Sequence, residues 1–127
     1  MSELRVLVDE HARLFNESVR TGDFTGFVGT FAPTAVMRFI NLPAGPYVGR
    51  DAIADAYADQ PPDDTMSIVD VREVGPDTAQ VEFAWDRGGT GSMTVSWHDD
   101  RVIDLTIALG NRAGDTGAAG DAQATST

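Results

Sequence analysis

The sequence predicts an α+β domain, in which helices of the amino-terminal half pack on an antiparallel sheet. Near the amino terminus, apolar residues recur at three- and four-residue spacing, which is typical of an amphipathic helix. From Thr65 onward, apolar and polar residues alternate, which is typical of strands. Short stretches rich in Gly, Pro and Asp separate these strands. Helices first and strands afterwards favour the α+β class.

Two helices are predicted at the start of the chain. The first runs roughly from Ser2 to Arg20, and "TGD" ends it, because Gly22 suits a helix C-terminus and Asp23 an N-cap. The second is shorter and follows directly. Its apolar stripe is Phe24, Phe27, Val28 and Phe31, and that of the first helix includes Leu4, Leu7, Val8, His11, Leu14, Phe15 and Val19.

A strand, a loop and a third helix come next. The stretch "AVMRFI" is short and rich in β-branched and aromatic residues, so it predicts a strand. The loop "NLPAGPYVG" leads to a helix that begins at Gly49 and Asp51. Three residues of this helix are expected to face inward, Ile53, Ala54 and Tyr57, and three to face solvent, Asp51, Asp55 and Asp59.

Four long strands complete the domain: "TMSIVDVREV", "TAQVEFAWD", "GSMTVSWH" and "RVIDLTIAL". In the last three, alternation places one set of side chains on the inner face: Val81, Phe83, Trp85, Met93, Val95, Trp97, Ile103, Leu105, Ile107 and Leu109. The outer face then carries Gln80, Glu82, Asp86, Thr94, Ser96, His98, Asp104 and Thr106. Residues 110–127 hold no large apolar side chain, so we expect a disordered tail after a domain of residues 1–109.

Composition excludes several classes of function. The formal net charge of −11 opposes binding to nucleic acid or to an anionic membrane. The chain has no cysteine, and its nine basic residues are all arginine, so thiolate and lysine Schiff-base chemistry are impossible. With only two histidines, we expect no metal and no other cofactor. The charged amino terminus "MSELRVLVDEHARLF" lacks a secretory or membrane-spanning pattern, so we expect a cytoplasmic protein.

The order of elements resembles that of the nuclear transport factor 2-like superfamily, in particular its SnoaL-like and ketosteroid-isomerase-like members. The passage "RTGDFTGFVGTFAPTAVMRF" is similar to the superfamily's helix, "GD" turn, helix and strand. The passage "GPYVGRDAIADAY" is similar to its loop and third helix. The resemblance covers roughly residues 5 to 109. It implies a cone-shaped fold, with three helices packed on a strongly curved antiparallel sheet around an apolar interior.

The resemblance leaves the activity open, because the superfamily includes ketosteroid isomerases, polyketide cyclases, dehydratases, epoxide hydrolases and non-enzymatic binding proteins. A ketosteroid isomerase uses a carboxylate base and an oxyanion hole made by a tyrosine and a protonated acid. Alignment on "GD" and "FAPTAVMRF" puts Phe15 at the position of the tyrosine and Phe39 at that of the base. The oxyanion acid falls near Met93. The residues of the isomerase therefore appear at none of these positions.

Two other residues are candidate catalytic groups. His11 lies on the apolar face of the first helix and could act as an acid or base near neutral pH. It could equally be a core histidine with a structural partner. Asp70 could become a pocket carboxylate if its strand turns that side chain inward, but Met66 and Ile68 share its parity, and a solvent-facing ion pair is the alternative.

Aromatic and thioether side chains predict a lining for a flat apolar ligand. The same residues could also fill an ordinary core. The candidate ligand-binding residues are Phe15, Phe39, Tyr47, Tyr57, Phe83, Trp85, Met93 and Trp97. Arg38 is expected to face outward and pair with Glu82 or Asp104, and His98-Asp99-Asp100 is expected to form a turn.

These observations favour a protein that binds a small apolar molecule, with isomerase-, cyclase- or hydratase-type acid–base chemistry as one option. The first alternative is a non-catalytic interaction module whose cone is filled by its own side chains. The second is a steroid Δ-isomerase, which the resemblance permits and the residues disfavour. Whatever the function, we expect a homodimer formed through the outer face of the sheet, by analogy with the superfamily.

Overall fold

The computed structural model describes residues 3–40 and 42–109. Over that range it confirms the α+β cone: helices at the amino-terminal side pack on a curved, unclosed sheet of six strands. The tail expected at residues 110–127 lies outside the described residues. No helix of the described part is long and apolar enough to cross a membrane.

The helices are α1 (Glu3–Thr21), α2 (Thr25–Val28) and α3 (Arg50–Asp59). Gly22 ends α1 as predicted, with a positive φ of 79° and its N–H donated to the Ser18 carbonyl at 2.8 Å. The Asp23 carboxylate accepts a hydrogen bond from the Thr25 N–H at 3.0 Å, and this bond lowers the Asp23 pKa. Gly22 and Asp23 therefore form the corner between α1 and α2, but the N-cap position expected for Asp23 belongs to Phe24.

The second helix is shorter than its apolar stripe predicts. It ends at Val28, and Phe31 is the first residue of a strand instead of the last of the helix. Thr30 turns the chain here, because its hydroxyl donates to the Phe27 carbonyl at 2.7 Å. Phe31 remains fully buried, so its apolar character was correctly assigned to the core and only its element was wrong.

The strands are β1 (Phe31–Phe39), β2 (Tyr47–Val48), β3 (Met66–Gly75), β4 (Thr78–Trp85), β5 (Thr90–His98) and β6 (Arg101–Leu109). They lie in the order β2-β1-β6-β5-β4-β3. All neighbours are antiparallel except β1 and β6, which are parallel. The predicted meander of four strands is β3 to β6. Its last hairpin turns at Asp99 and Asp100, both with positive φ, as expected for a turn.

A β-bulge corrects the predicted inner face of β6. The register between β5 and β6 shifts between Ser96 and Trp97, so Trp97 lies opposite Val102. Val102 is consequently buried, whereas Ile103, which alternation had placed inside, is 38% exposed. Beyond the bulge the predicted parity holds, because Leu105 is buried.

A side-chain clamp joins α1 to the beginning of β3. The Asn16 amide nitrogen donates to the Met66 carbonyl at 2.8 Å, and the Asn16 amide oxygen accepts from the Met66 N–H at 2.9 Å. The clamp satisfies both backbone groups of Met66, which would otherwise lack partners at the strand end. It holds the helix face that carries His11 and Phe15 against the inner side of the sheet.

Candidate functional site

A cavity of about 190 Å³ lies between the helices and the inner face of the sheet. The helices contribute His11 and Phe15 of α1, Phe27 of α2 and Tyr57 of α3. The remaining lining comes from the loop after α3 and from five strands: Phe39, Pro62, Met66, Phe83, Trp85, Met93, Leu105, Ile107 and Leu109. Side chains i and i+4 on a helix share one face, which is why His11 and Phe15 reach the same space.

The lining residues divide into a buried floor and a half-buried rim. Five side chains are partly exposed and form the rim: Phe39, Pro62, Trp85, Ile107 and Leu109. The other eight are buried. The half-buried strand residues lie where β1, β4 and β6 end, so the cavity opens towards that end of the sheet and its buried part lies towards α1 and α2.

His11 is the titratable imidazole of this cavity. The residue is 5% exposed, and its ring lies 4.9 Å from the ring of Phe27 and 6.1 Å from that of Phe31, measured between centroids. Its buried Nδ1 atom has no hydrogen-bond partner among the described residues. Burial lowers the pKa of His11 from 6.5 to about 4, so the ring is neutral at pH 7.

Tyr57 supplies a second polar group at the floor. Its ring stacks on Phe24 at a centroid distance of 5.0 Å, and its hydroxyl donates to the thioether sulfur of Met37 at 3.6 Å. A thioether is a weak acceptor. Burial raises the pKa of the Tyr57 phenol, which therefore keeps its proton at all ordinary pH values.

The structure brings most of the candidate ligand-binding residues to this cavity. Six of the eight line it: Phe15, Phe39, Tyr57, Phe83, Trp85 and Met93. Candidate catalytic residue His11 lines it as well. These residues lie on α1, α3 and three strands, β1, β4 and β5, so residues far apart in the sequence meet at the cavity.

Tyr47 and Trp97 do not line the cavity. Tyr47 is half-buried on β2, and its ring stands edge-on to that of Phe39 at a centroid distance of 6.4 Å. It therefore packs against a rim residue without lining the cavity itself. Trp97 is buried beside Leu4 at the beginning of α1 and meets the His11 ring edge-on at 6.5 Å. Trp97 was expected in the lining because it shares strand parity with Met93, but it lies at the other end of its strand. Tyr47 was expected there because its loop resembles the superfamily's loop at the mouth of the cone, but Phe39 separates it from the cavity.

Asp70 does not face the cavity. The register between β3 and β4 shifts between Ile68 and Asp70, so that Asp70 lies opposite the exposed Glu82 on the outer face. The bulge breaks the parity that Asp70 would otherwise share with the buried Met66. Asp70 is exposed, and the inward orientation required for a pocket carboxylate is therefore not present.

Sequence reasoning did not assign six of the lining residues to the site: Phe27, Pro62, Met66, Leu105, Ile107 and Leu109. Phe27, Leu105, Ile107 and Leu109 had been recognised as inward-facing. Nothing in alternation separates a core side chain from a cavity side chain. Pro62 carried no signal at all, because it lies in the "QPPDD" stretch that predicts only the end of a helix.

The cavity carries no formal charge. None of its lining residues is an Asp, Glu, Lys or Arg, and the buried imidazole is neutral at pH 7. The outward Arg38 guanidinium pairs with the Asp104 carboxylate at 2.7 Å on the opposite side of the sheet, as expected. The site is thus suited to an uncharged ligand, because a buried charge would have no counter-charge.

The sequence model of the SnoaL-like domain family matches residues 12–109. No curated protein matches the chain in sequence. Among solved structures, a Bacillus subtilis protein provisionally called an isomerase has a TM-score of 0.69 at 16% identity, over 84% of this chain and 88% of that chain.

Two further solved structures show the same likeness. The NTF2-like protein of Anabaena variabilis has a TM-score of 0.67 at 13% identity, over 87% of this chain and 95% of that chain. A protein from the de novo design of diverse pocket structures has a TM-score of 0.66 at 17% identity, over 85% and 99%. At these identities, the likeness shows the fold and leaves the chemistry to the site.

Proposed function

Because the chain belongs to the SnoaL-like domain family, we propose that it binds a small, uncharged apolar molecule in the cavity between the helices and the sheet. The observation that carries this proposal is the uncharged cavity of about 190 Å³ with its aromatic and thioether lining. Ligand sites of proteins are typically concave and mostly apolar, with few polar groups. A cone filled by its own side chains would leave no such space.

Burial of apolar surface supplies the binding energy. Each 100 Å² of apolar surface removed from water contributes about 2.5 kcal/mol. A ligand that buries about 200 Å² therefore gains about 5 kcal/mol before the entropic cost of association. This gain alone corresponds to a dissociation constant of about 0.2 mM, so we expect values in the millimolar range for molecules that fill the cavity.

Binding is better supported than catalysis by the residues in the cavity. Acid–base reactions of the isomerase, cyclase or hydratase type would depend on His11, because Phe15 and Phe39 carry no proton-transferring group. A base is most effective when the pKa of its conjugate acid lies near the working pH. With a pKa of about 4, neutral His11 is a weak base at pH 7.

Thermal unfolding with and without uncharged apolar compounds tests the binding proposal. Ile107→Trp should fill the rim and abolish the rise in melting temperature that a ligand produces. Val6→Trp is the control, because it places the same side chain at an exposed position of α1, away from the cavity and from the outer face of the sheet. A ligand at ten times its dissociation constant should stabilise the wild type by about 1.4 kcal/mol, or about 7 °C.

Three outcomes are informative. Stabilisation of the wild type and the Val6 variant but not of the Ile107 variant supports the proposal. Equal stabilisation of all three places the binding outside the cavity and contradicts it. No response of the wild type to any compound up to its solubility limit favours the non-catalytic module.

The steroid Δ-isomerase alternative has its own test. Incubation of pure protein with 5-androstene-3,17-dione should give conjugated product no faster than the buffer control. Phe15 and Phe39 occupy the aligned positions of the tyrosine and the base, and neither can stabilise a dienolate or move a proton. Rapid turnover would show that this alignment is wrong.

We further propose a homodimer formed through the outer face of the sheet. Exposed apolar side chains lie there, including Val48 at 68% and Ile103 at 38% exposure. Thr106 lies between Arg38 and Thr94 in register, near the middle of this face. Sedimentation should show a dimer that Thr106→Arg dissociates, and a monomer at high micromolar concentration would contradict the proposal.

A further inference from the structure

One polar side chain of the lining is buried and has a ring nitrogen without a hydrogen-bond partner among the described residues. Three of the lining residues carry a nitrogen or oxygen in the side chain: His11, Tyr57 and Trp85. The Tyr57 hydroxyl already donates to Met37, and Trp85 lies at the half-buried rim. The Nδ1 atom of His11 is buried without a partner among the described residues.

An unpaired buried polar group is unfavourable by about 1–3 kcal/mol, which a ligand with a matching group can recover. A bound water is a poor substitute here. A buried water needs two to four polar partners, and the lining around the imidazole is aromatic and aliphatic. The Phe27 and Phe31 rings beside the imidazole carry no strong hydrogen-bond acceptor.

The volume of the cavity limits the size of the ligand. An apolar cavity of about 150 Å³ holds benzene, which has six non-hydrogen atoms. In proportion, the volume of about 190 Å³ accommodates about eight such atoms. A benzene ring with one or two small substituents fills it, and a larger molecule would have to extend through the rim.

The charge state of the ligand is limited as well. A carboxylate or an ammonium group would enter a space that has no charged side chain among its lining residues. The unfavourable desolvation of such a group exceeds what a single neutral hydrogen bond recovers. The polar group must therefore be uncharged.

We infer that the cavity binds a small uncharged alcohol or phenol, about eight non-hydrogen atoms in size, whose hydroxyl group forms a hydrogen bond with the imidazole of His11. This inference rests on the proposed function and adds the chemical class of the ligand. A hydroxyl group suits either neutral tautomer of histidine, since it can donate to the bare nitrogen or accept from the N–H. The apolar remainder lies against Phe15, Phe83 and Met93.

A double comparison of ligand and protein tests the inference. The ligands are 4-ethylphenol and ethylbenzene, which differ only in the hydroxyl group. The proteins are the wild type, His11→Leu and the control His98→Leu, whose side chain is 73% exposed in the wild type. Titration calorimetry should show that His11→Leu weakens the binding of 4-ethylphenol at least about fivefold more than that of ethylbenzene. His98→Leu should change neither.

The outcomes separate this inference from the proposed function. If both ligands bind but His11→Leu weakens them equally, the hydroxyl contact is refuted and apolar binding stands. If neither ligand binds to the wild type, both proposals fail. The anionic 4-ethylbenzoate should not bind, and affinity equal to that of 4-ethylphenol would refute the requirement for an uncharged ligand.

A measurement on the wild type keeps the test independent of variant folding. With ¹⁵N-labelled histidine, a ring nitrogen of His11 should shift when 4-ethylphenol is added and much less when ethylbenzene is added. The exposed His98 serves as the internal reference. Equal shifts of His11 with both ligands would overturn the inference.

Discussion

Buried His11 should make the stability of the protein depend on pH. The pKa of its imidazole is about 4 in the folded protein, against an ordinary value of 6.5. Between these two values, the unfolded chain binds a proton that the folded protein does not, so acid favours unfolding. The stabilising contribution is complete above about pH 6.5 and is lost as the pH falls towards about 4.

The size of the effect follows from the two pKa values. A shift of this extent corresponds to about 3 kcal/mol over the whole range. Between pH 7 and about pH 5.5 the expected loss of unfolding free energy is about 1 kcal/mol, or about 5 °C in melting temperature. Acidic side chains titrate mainly below this window, which makes it the informative range.

The assay is urea or thermal unfolding of the wild type, His11→Leu and His98→Leu at both pH values. The His11 variant should lose about 1 kcal/mol less than the wild type between them, because it has no buried imidazole to protonate. His98→Leu is the control for the removal of a histidine that lies at the surface. If the His11 variant keeps the full dependence of the wild type, the buried neutral histidine is refuted.

Two further substitutions test the packing around the cavity. A Cβ atom at Gly91 would lie 2.6 Å from Cζ of Phe83, so the Phe83 ring would have to move. Gly91→Ala should therefore lower the free energy of unfolding by about 1–3 kcal/mol. It should also weaken ligand binding, because the displaced ring occupies part of the cavity. Gly26→Ala, which meets no atom within 4 Å, is its control in thermal unfolding and titration. Asn16→Ala should lower the free energy of unfolding in urea by about 1–3 kcal/mol, because both backbone groups of Met66 lose their partners. An unchanged midpoint would show that water replaces the clamp.

The fold could be predicted from local patterns because each element carries its own signal. The helical spacing of α1, the "TGD" corner and the alternation of β4 and β5 all act over a few residues, and the structure follows them. Phe31 and Ile103 were misplaced for different reasons. A side-chain hydrogen bond of Thr30 ends α2 early, and a bulge reverses the parity of β6 at one point. Neither event changes the periodicity of the sequence enough to be recognised.

The sequence predicted most of the side chains that face the candidate site, but not how far along the cone each of them lies. Alternation identifies which side chains face inward, and six of the eight candidate ligand-binding residues do line the cavity. It cannot tell how far along the cone a side chain lies, so Trp97 was grouped with Met93 although it packs at the beginning of α1. The orientation of Asp70 depends on a bulge that forms only in the assembled sheet.

The most direct test of the central claim uses methionine methyl groups as reporters of the cavity. Two methionines, Met66 and Met93, line it, whereas Met37 is buried outside the lining. In protein labelled with ¹³C at the methionine methyl groups, titration with 4-ethylphenol should shift the signals of Met66 and Met93 saturably and that of Met37 much less. Signals of Met66 and Met93 that stay unchanged up to the solubility limit of the compound would contradict an apolar ligand site in this cavity.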